Sequence, residues 1–139
     1  MDLRLKLKKG EVIEKGEVLV ELEIVNDSDR DVYIPRDLLL LDGFTSDKFN
    51  VVKHTAEGDV GIDYEGKFVK YSPGKELLES NGKITNILNL AEAYDFHGIP
   101  GEGKYSVTYN SPSIWYDDED QVCVGEGFQV NLEDSLSVI

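Results

Sequence analysis

Basic residues are scarce in this chain: 14 Lys and Arg stand against 28 Asp and Glu, a formal net charge of −14 over 139 residues. That balance argues against DNA or RNA as a partner, because nucleic-acid affinity depends on Lys and Arg neutralising phosphates. It argues equally against an anionic membrane surface. Cysteine is rarer still. Cys123 stands alone, which excludes an intrachain disulfide and leaves the hydrophobic core to hold the fold. Between Val122 and Val124, with no cation beside it, Cys123 reads as an inert, partly buried thiol on a strand. No apolar run nears the roughly 20 residues that span a bilayer. Met1-Asp2-Leu3-Arg4-Leu5-Lys6 lacks the continuous apolar segment of a secretory signal. The expectation is a cytosolic protein or a mature secreted domain expressed without its leader. Histidine is limited to His54 and His97, 43 residues apart and without a ligand motif around either, so neither a zinc site nor a catalytic base is expected. No Gly-x-Ser-x-Gly elbow and no phosphate-cradling glycine loop opening a helix occurs. The chain is expected not to be an enzyme and to need no cofactor.

What the sequence has in abundance is period-two alternation, the mark of half-buried strands. Leu3, Leu5 and Leu7 alternate with Arg4, Lys6 and Lys8, and the lysine-bearing face suits a sheet edge. Val18, Val20, Leu22 and Ile24 alternate with Leu19, Glu21 and Glu23. Asn26-Asp27-Ser28-Asp29 reads as a turn of residues that bond their own backbone. Val32-Tyr33-Ile34 resumes a strand that Pro35 ends. Leu38 to Leu41 form either a short buried strand or a helical turn. Further strands are expected at 48–53, 67–71, 83–90, 103–109 and 121–131, parted by Gly58, Gly66, Pro73-Gly74, Asn81-Gly82 and Pro112. Ile84, Ile87, Leu88 and Ala91 also match helical spacing. The poor helix formers Asn86 and Asn89 and the hairpin-like Asn81-Gly82 favour a strand over 84–94, with a helix left open. The tail 132–139 either packs as a last half-strand or frays.

One domain of this length buries roughly two thirds of the surface its unfolded chain exposes, and residues 1–139 read as a single unit that includes the acidic segment 112–139. The pattern predicts an all-β, immunoglobulin-like β-sandwich of about seven to nine strands. Gly103-Lys-Tyr105-Ser-Val107 matches the entry to the late strand on which such sandwiches carry a tyrosine corner, with Val107 where a disulfide-bonded domain has its second cysteine.

A run of features extends this match. Val20-Glu-Leu-Glu-Ile-Val-Asn26 is followed by Ser28-Asp29-Arg30-Asp31-Val32-Tyr33-Ile34, then by Leu41-Asp-Gly-Phe44 and Ser46-Asp47-Lys48-Phe49-Asn50-Val51. Tyr64-Glu65-Gly66, a strand opened by Gly82, and Leu90-Ala-Glu-Ala-Tyr94-Asp95 complete it. Over about two thirds of the chain this order resembles the non-catalytic β-sandwich that precedes the protease domain in deuterolysin-type zinc endopeptidases, the aspzincins. No His-Glu-x-x-His occurs, so no catalytic residue carries over; Asn81-Gly82 stands where those domains have Pro-Gly, and 112–139 has no counterpart. The resemblance implies a fold and an accessory role beside another protein.

Charge is distributed unevenly. Residues 1–16 hold five basic groups and three acidic ones, whereas 112–139 hold seven acidic groups and no basic one. A basic or neutral protein would be steered to that end. There Trp115 and Tyr116 precede Asp117, Asp118, Glu119 and Asp120 in a stretch that reads as loop, and exposed Trp and Tyr beside charge mark interaction hot spots. These six residues are the candidate binding site, the competing role for Trp115 being to cap the core. Four adjacent carboxylates would welcome a hard cation, but successive side chains on an extended chain point opposite ways and do not converge. Asp27, Asp29 and Asp31 open like a calcium loop, yet Val32 and Leu38 occupy the positions where an EF-hand needs Gly and Glu. The expected function is a non-catalytic module that binds another protein. The alternatives are a sandwich-fold proteinase inhibitor presenting 54–66 or 95–103, and a calcium-dependent carbohydrate binder using the aromatic–acidic stretch.

Overall fold

The computed structural model describes residues 3–11, 16–66, 68, 74–96, 103–117, 119–133 and 136–138. Alternation decides the first sheet. Strand β1 (Leu3–Lys9) buries Leu5 and Leu7 and pairs antiparallel with β2 (Leu19–Asn26), which buries Val20, Leu22 and Ile24. The strand that completes this sheet is β7 (Lys83–Asn89), paired with the other side of β2 from Leu19↔Asn89 to Val25↔Lys83. Residues 83–89 are therefore strand, and Leu90–Glu92 turn into a short 3-10 segment. The asparagines explain why a helix loses. Asn86 Nδ2 donates to the carbonyls of Leu39 (2.8 Å) and Leu40 (3.0 Å), and Asn89 Oδ1 accepts from Val18 N–H (2.9 Å) and Ala91 N–H (3.1 Å).

The second sheet has the order β10-β9-β3-β6, built from β3 (Val32–Pro35), β6 (Lys75–Leu78), β9 (Ile114–Tyr116) and β10 (Val122–Val124). The third runs β11-β8-β4-β5, from β4 (Phe49–Thr55), β5 (Gly58–Gly61), β8 (Gly103–Ser111) and β11 (Phe128–Asn131), with β12 (Leu136–Val138) also on β8. One continuous apolar core takes side chains from all three sheets, among them Leu22, Ile24, Ile34, Leu78, Val51, Tyr105, Val107 and Tyr109. The chain is an all-β protein of β-sandwich character.

Among the described residues, twelve strands replace the expected seven to nine because several are only three or four residues long. The stretch 121–131 is not one strand. Gly125 and Gly127 break it, so β10 joins the second sheet and β11 the third. Leu38 and Leu39 are buried in a 3-10 turn (Arg36–Leu39), the helical alternative, with buried Leu40 capping it, and the strand expected at 67–71 falls largely outside the described residues. Trp115 and Tyr116 lie on a strand, β9, and not in a loop. The tail supplies β12.

The corner at Tyr105 forms as expected: its hydroxyl donates to the carbonyl of Phe96, nine residues upstream, at 3.4 Å, and the two rings sit 5.1 Å apart. Val107 faces the core. Asn26, fully buried, organises the opposite end. Its Nδ2 donates to the carbonyls of Arg30 (2.7 Å) and Leu78 (3.2 Å), and its Oδ1 accepts from Ser28 N–H and Oγ–H.

Candidate functional site

The outer face of the second sheet carries the candidate site. Register places Val122 opposite Tyr116, Tyr116 opposite Tyr33, and Tyr33 opposite Leu77. Residues opposite one another across a sheet share a face, so these four form one row running across β10, β9, β3 and β6. Three of its members are exposed, Val122 at 61%, Tyr33 at 39% and Leu77 at 43%, and Tyr116 is half-buried; Val124, two residues along from Val122, is exposed at 73%. Apolar surface gathered on one face, and not scattered singly, makes this face the candidate for an interaction surface. Beside the row a groove lined by Pro35, Pro112, Ile114 and Tyr116 runs to the Lys48–Asp37 ion pair (2.7 Å).

The six residues named from the sequence divide. Tyr116 lies on this row, half-buried, and Lys75 Nζ sits 3.9 Å from its ring centroid while pairing with Asp120. Trp115, one residue earlier, points the other way. It packs against the core from the inner side of the sheet, where a Cβ on Gly125 would come within 3.1 Å of its ring. Its indole Nε1 is buried without a hydrogen-bond partner. Asp117 builds the β9–β10 turn, its Oδ1 accepting from Glu119 N–H (3.0 Å) and Gln121 N–H (2.8 Å). Asp120 holds that turn with φ at 62°, a left-handed conformation that Asp tolerates better than most residues. Glu119 is exposed, and Asp118 lies outside the described residues. Sequence reasoning does not single out Tyr33, Leu77, Val122 and Val124. The signal that marks them is a strand whose two faces are both apolar, as in Val32-Tyr33-Ile34 and Val122-Cys123-Val124, but it becomes specific only with the register.

Other candidates are spent on structure. Asp27 is gripped by the Arg4 guanidinium, and that hydrogen bond holds its carboxyl below the usual carboxylate range. Asp31 accepts Ser80 N–H (2.8 Å). Among the described residues no three His, Cys, Asp or Glu side chains gather where they could hold a metal ion. Residues 54–61 of one proposed inhibitor loop form the β4–β5 hairpin; 97–102 of the other, with His97, lie outside the described residues.

His54 supplies an arrangement that spacing alone does not disclose. Its Nδ1 is 2.7 Å from Asp59 Oδ1 and its Nε2 2.5 Å from Ser106 Oγ. Register causes this, since β4 lies between β5 and β8, with His54 opposite Asp59 and Val52 opposite Ser106. The order of groups is that of a nucleophile relay. All three side chains stand on the exposed outer face of a sheet, however, and the backbone N–H groups there lie in the sheet plane, so they cannot converge on an oxyanion above Ser106. The trio ties three strands together.

No protein-family model and no curated protein matches the chain.

Proposed function

We propose that this domain is a non-catalytic protein-interaction module whose contact surface is the outer face of the second sheet. One observation carries the reading: four side chains from four strands form one apolar row, with Val122, Tyr33 and Leu77 exposed and Tyr116 half-buried, bordered by Asp117, Glu119 and Asp120. Tyrosine brings large contact area at low entropic cost and keeps a polar tip, which is why it is enriched where proteins meet. The role also agrees with the accessory place that the resemblance to the deuterolysin-type β-domain implies. The partner's matching surface is apolar at its centre and basic at its margin, since the segment 112–139 holds seven acidic and no basic residues.

The test is selection of a random seven-residue phage-displayed library on the immobilised domain, followed by binding of the enriched peptides to the Tyr33→Ala/Tyr116→Ala double variant. Both side chains lie on the outer face, so the variant keeps the fold, which thermal unfolding checks. Enriched peptides carrying Lys or Arg around apolar residues, lost on the double variant, are the expected result. Absence of enrichment, or equal binding to the variant, overturns the reading.

A further inference from the structure

Strand β10 ends the second sheet: its only neighbour among the described residues is β9. Asp117 N–H donates to the Gln121 carbonyl at 3.0 Å, and Gly125 N–H to the Ser113 carbonyl at 2.9 Å. In an antiparallel ladder the residues that bond to a given neighbour alternate. Residues 121, 123 and 125 therefore direct their backbone groups at β9, and Val122 and Val124 direct theirs away from it, along the open edge. Edge strands are normally blunted by lysine, proline or a bulge. β1 has Lys6, Lys8 and Lys9, and β6 has Lys75. β10 has Val-Cys-Val, with its two valines the most exposed members of the apolar face.

Resting on the interaction-face reading above, we propose that β10 receives an extended segment of a partner protein as an added strand. The segment has apolar residues at two positions two apart, and Lys or Arg two residues outside each. The charge on either side of the edge decides the occupant. Asp120 and Glu126, both exposed, flank the strand two residues beyond Val122 and Val124. A second copy of this chain, pairing its own β10 about Cys123, brings Asp120 of one copy near Glu126 of the other at both ends, and like charges brought together repel. A segment with basic residues at those places attracts them instead. Residues opposite Val122 and Val124 exchange both backbone hydrogen bonds with them, and their side chains lengthen the row that runs through Tyr116, Tyr33 and Leu77.

The probe is a fluorescein-labelled Lys-Thr-Val-Thr-Val-Thr-Lys peptide with blocked ends, titrated with the whole domain and read by anisotropy. Binding that falls with added salt is expected, because the flanking charges are exposed. N-methylating the two valines of the peptide should weaken it about tenfold or more, the scale of a lost backbone hydrogen bond, and replacing both lysines by Glu should abolish it. In the domain, Val124→Pro loses no ladder bond because its N–H faces the open edge, and Val122→Lys installs the guard that β1 and β6 carry. Both should lose the peptide while thermal unfolding stays near wild type.

Full binding of the N-methylated peptide, with loss on Tyr33→Ala, overturns strand addition and leaves the interaction face standing. No binding of the lysine-ended peptide at about 1 mM, while library-selected peptides still bind, also overturns strand addition alone. If the library yields no ligand either, the face itself falls. A monomer–dimer equilibrium in sedimentation that Val124→Pro abolishes assigns the edge to a second copy and overturns the basic segment.

Discussion

Replacing Tyr94 by Phe removes one oxygen and tests how the third sheet ends. Asn110 N–H on β8 donates to the carbonyl of Lys48, just before β4, at 2.9 Å, so alternation turns the amide of Phe49 away from β8. On that side β5 reaches only from Val52 to Thr55, which leaves Phe49 without a strand partner. The Tyr94 hydroxyl stands in for one. It accepts Phe49 N–H at 3.0 Å and donates to Asp47 Oδ1 at 2.8 Å. The ring is packed among Tyr64 (5.3 Å), Phe49 (6.1 Å) and Phe44 (6.3 Å), and Phe keeps that packing. The cost is then the buried N–H left unsatisfied, about 1–3 kcal/mol, together with a hydrogen bond to a carboxylate. About 2–3 kcal/mol in total lowers Tm by roughly 6–12 °C in a domain of this size. Tyr105→Phe is the internal control: its hydroxyl bond is longer, 3.4 Å, and its loss should cost under about 1 kcal/mol.

Burial, and then the hydrogen bond to Asp47, push the Tyr94 hydroxyl far above the usual tyrosine range; burial does the same to Tyr109. The unfolded chain releases these protons near pH 10 while the folded chain retains them. Stability is therefore intact below about pH 10 and falls above it, by about 1.4 kcal/mol per pH unit for each such tyrosine. Tyr94→Phe should remove one proton's worth of that slope. Chemical denaturation between neutral and alkaline pH reads both quantities. A Tyr94→Phe domain within about 0.5 kcal/mol of wild type at neutral pH, a margin near that of a typical surface substitution, with an unchanged alkaline slope, refutes the reasoning.

Three further outcomes follow from individual side chains. Asn26→Ala strands the buried carbonyl of Leu78 and unties the 27–31 turn, and should cost about 2–4 kcal/mol by urea denaturation, more than any other turn substitution. Glu23 lies on the outer side of β2; burial raises its pKa, but the hydrogen bond and charge of Lys8 and the charge of Lys83 outweigh this and hold it below the usual carboxylate range. The unfolded chain takes up that proton first as pH falls, so this stability is present above about pH 5 and lost through the acid range below it, and Glu23→Gln should flatten the acid limb of a stability–pH profile. Gly125→Ala pushes a methyl to within 3.1 Å of the Trp115 ring and Ser113 Oγ; it should shift Trp115 emission and cost about 1 kcal/mol or more by crowding, and an unchanged emission spectrum would show that the ring does not pack there.

The sequence by itself determined the class of structure. Leu5 and Leu7 against Lys6 and Lys8, and Val20, Leu22 and Ile24 against Glu21, specify strands buried on one side, because the two faces of a strand alternate and only one can meet the core. Tyr105 and Val107 declared their corner for the same local reason. Tertiary structure decided everything that depends on who pairs with whom. Asn86 and Asn89 resist a helix only weakly by propensity; what settles β7 is the pairing with β2 and the distant carbonyls of Leu39 and Leu40. Trp115 and Tyr116 stand together in the sequence, yet the pleat sends one inward and the other out. Tyr33, Leu77 and Val122 lie far apart along the chain, and they meet Tyr116 only because four short strands share one register. A binding face on a sheet is a property of inter-strand pairing, and hydrophobic periodicity along one strand carries no record of its neighbour.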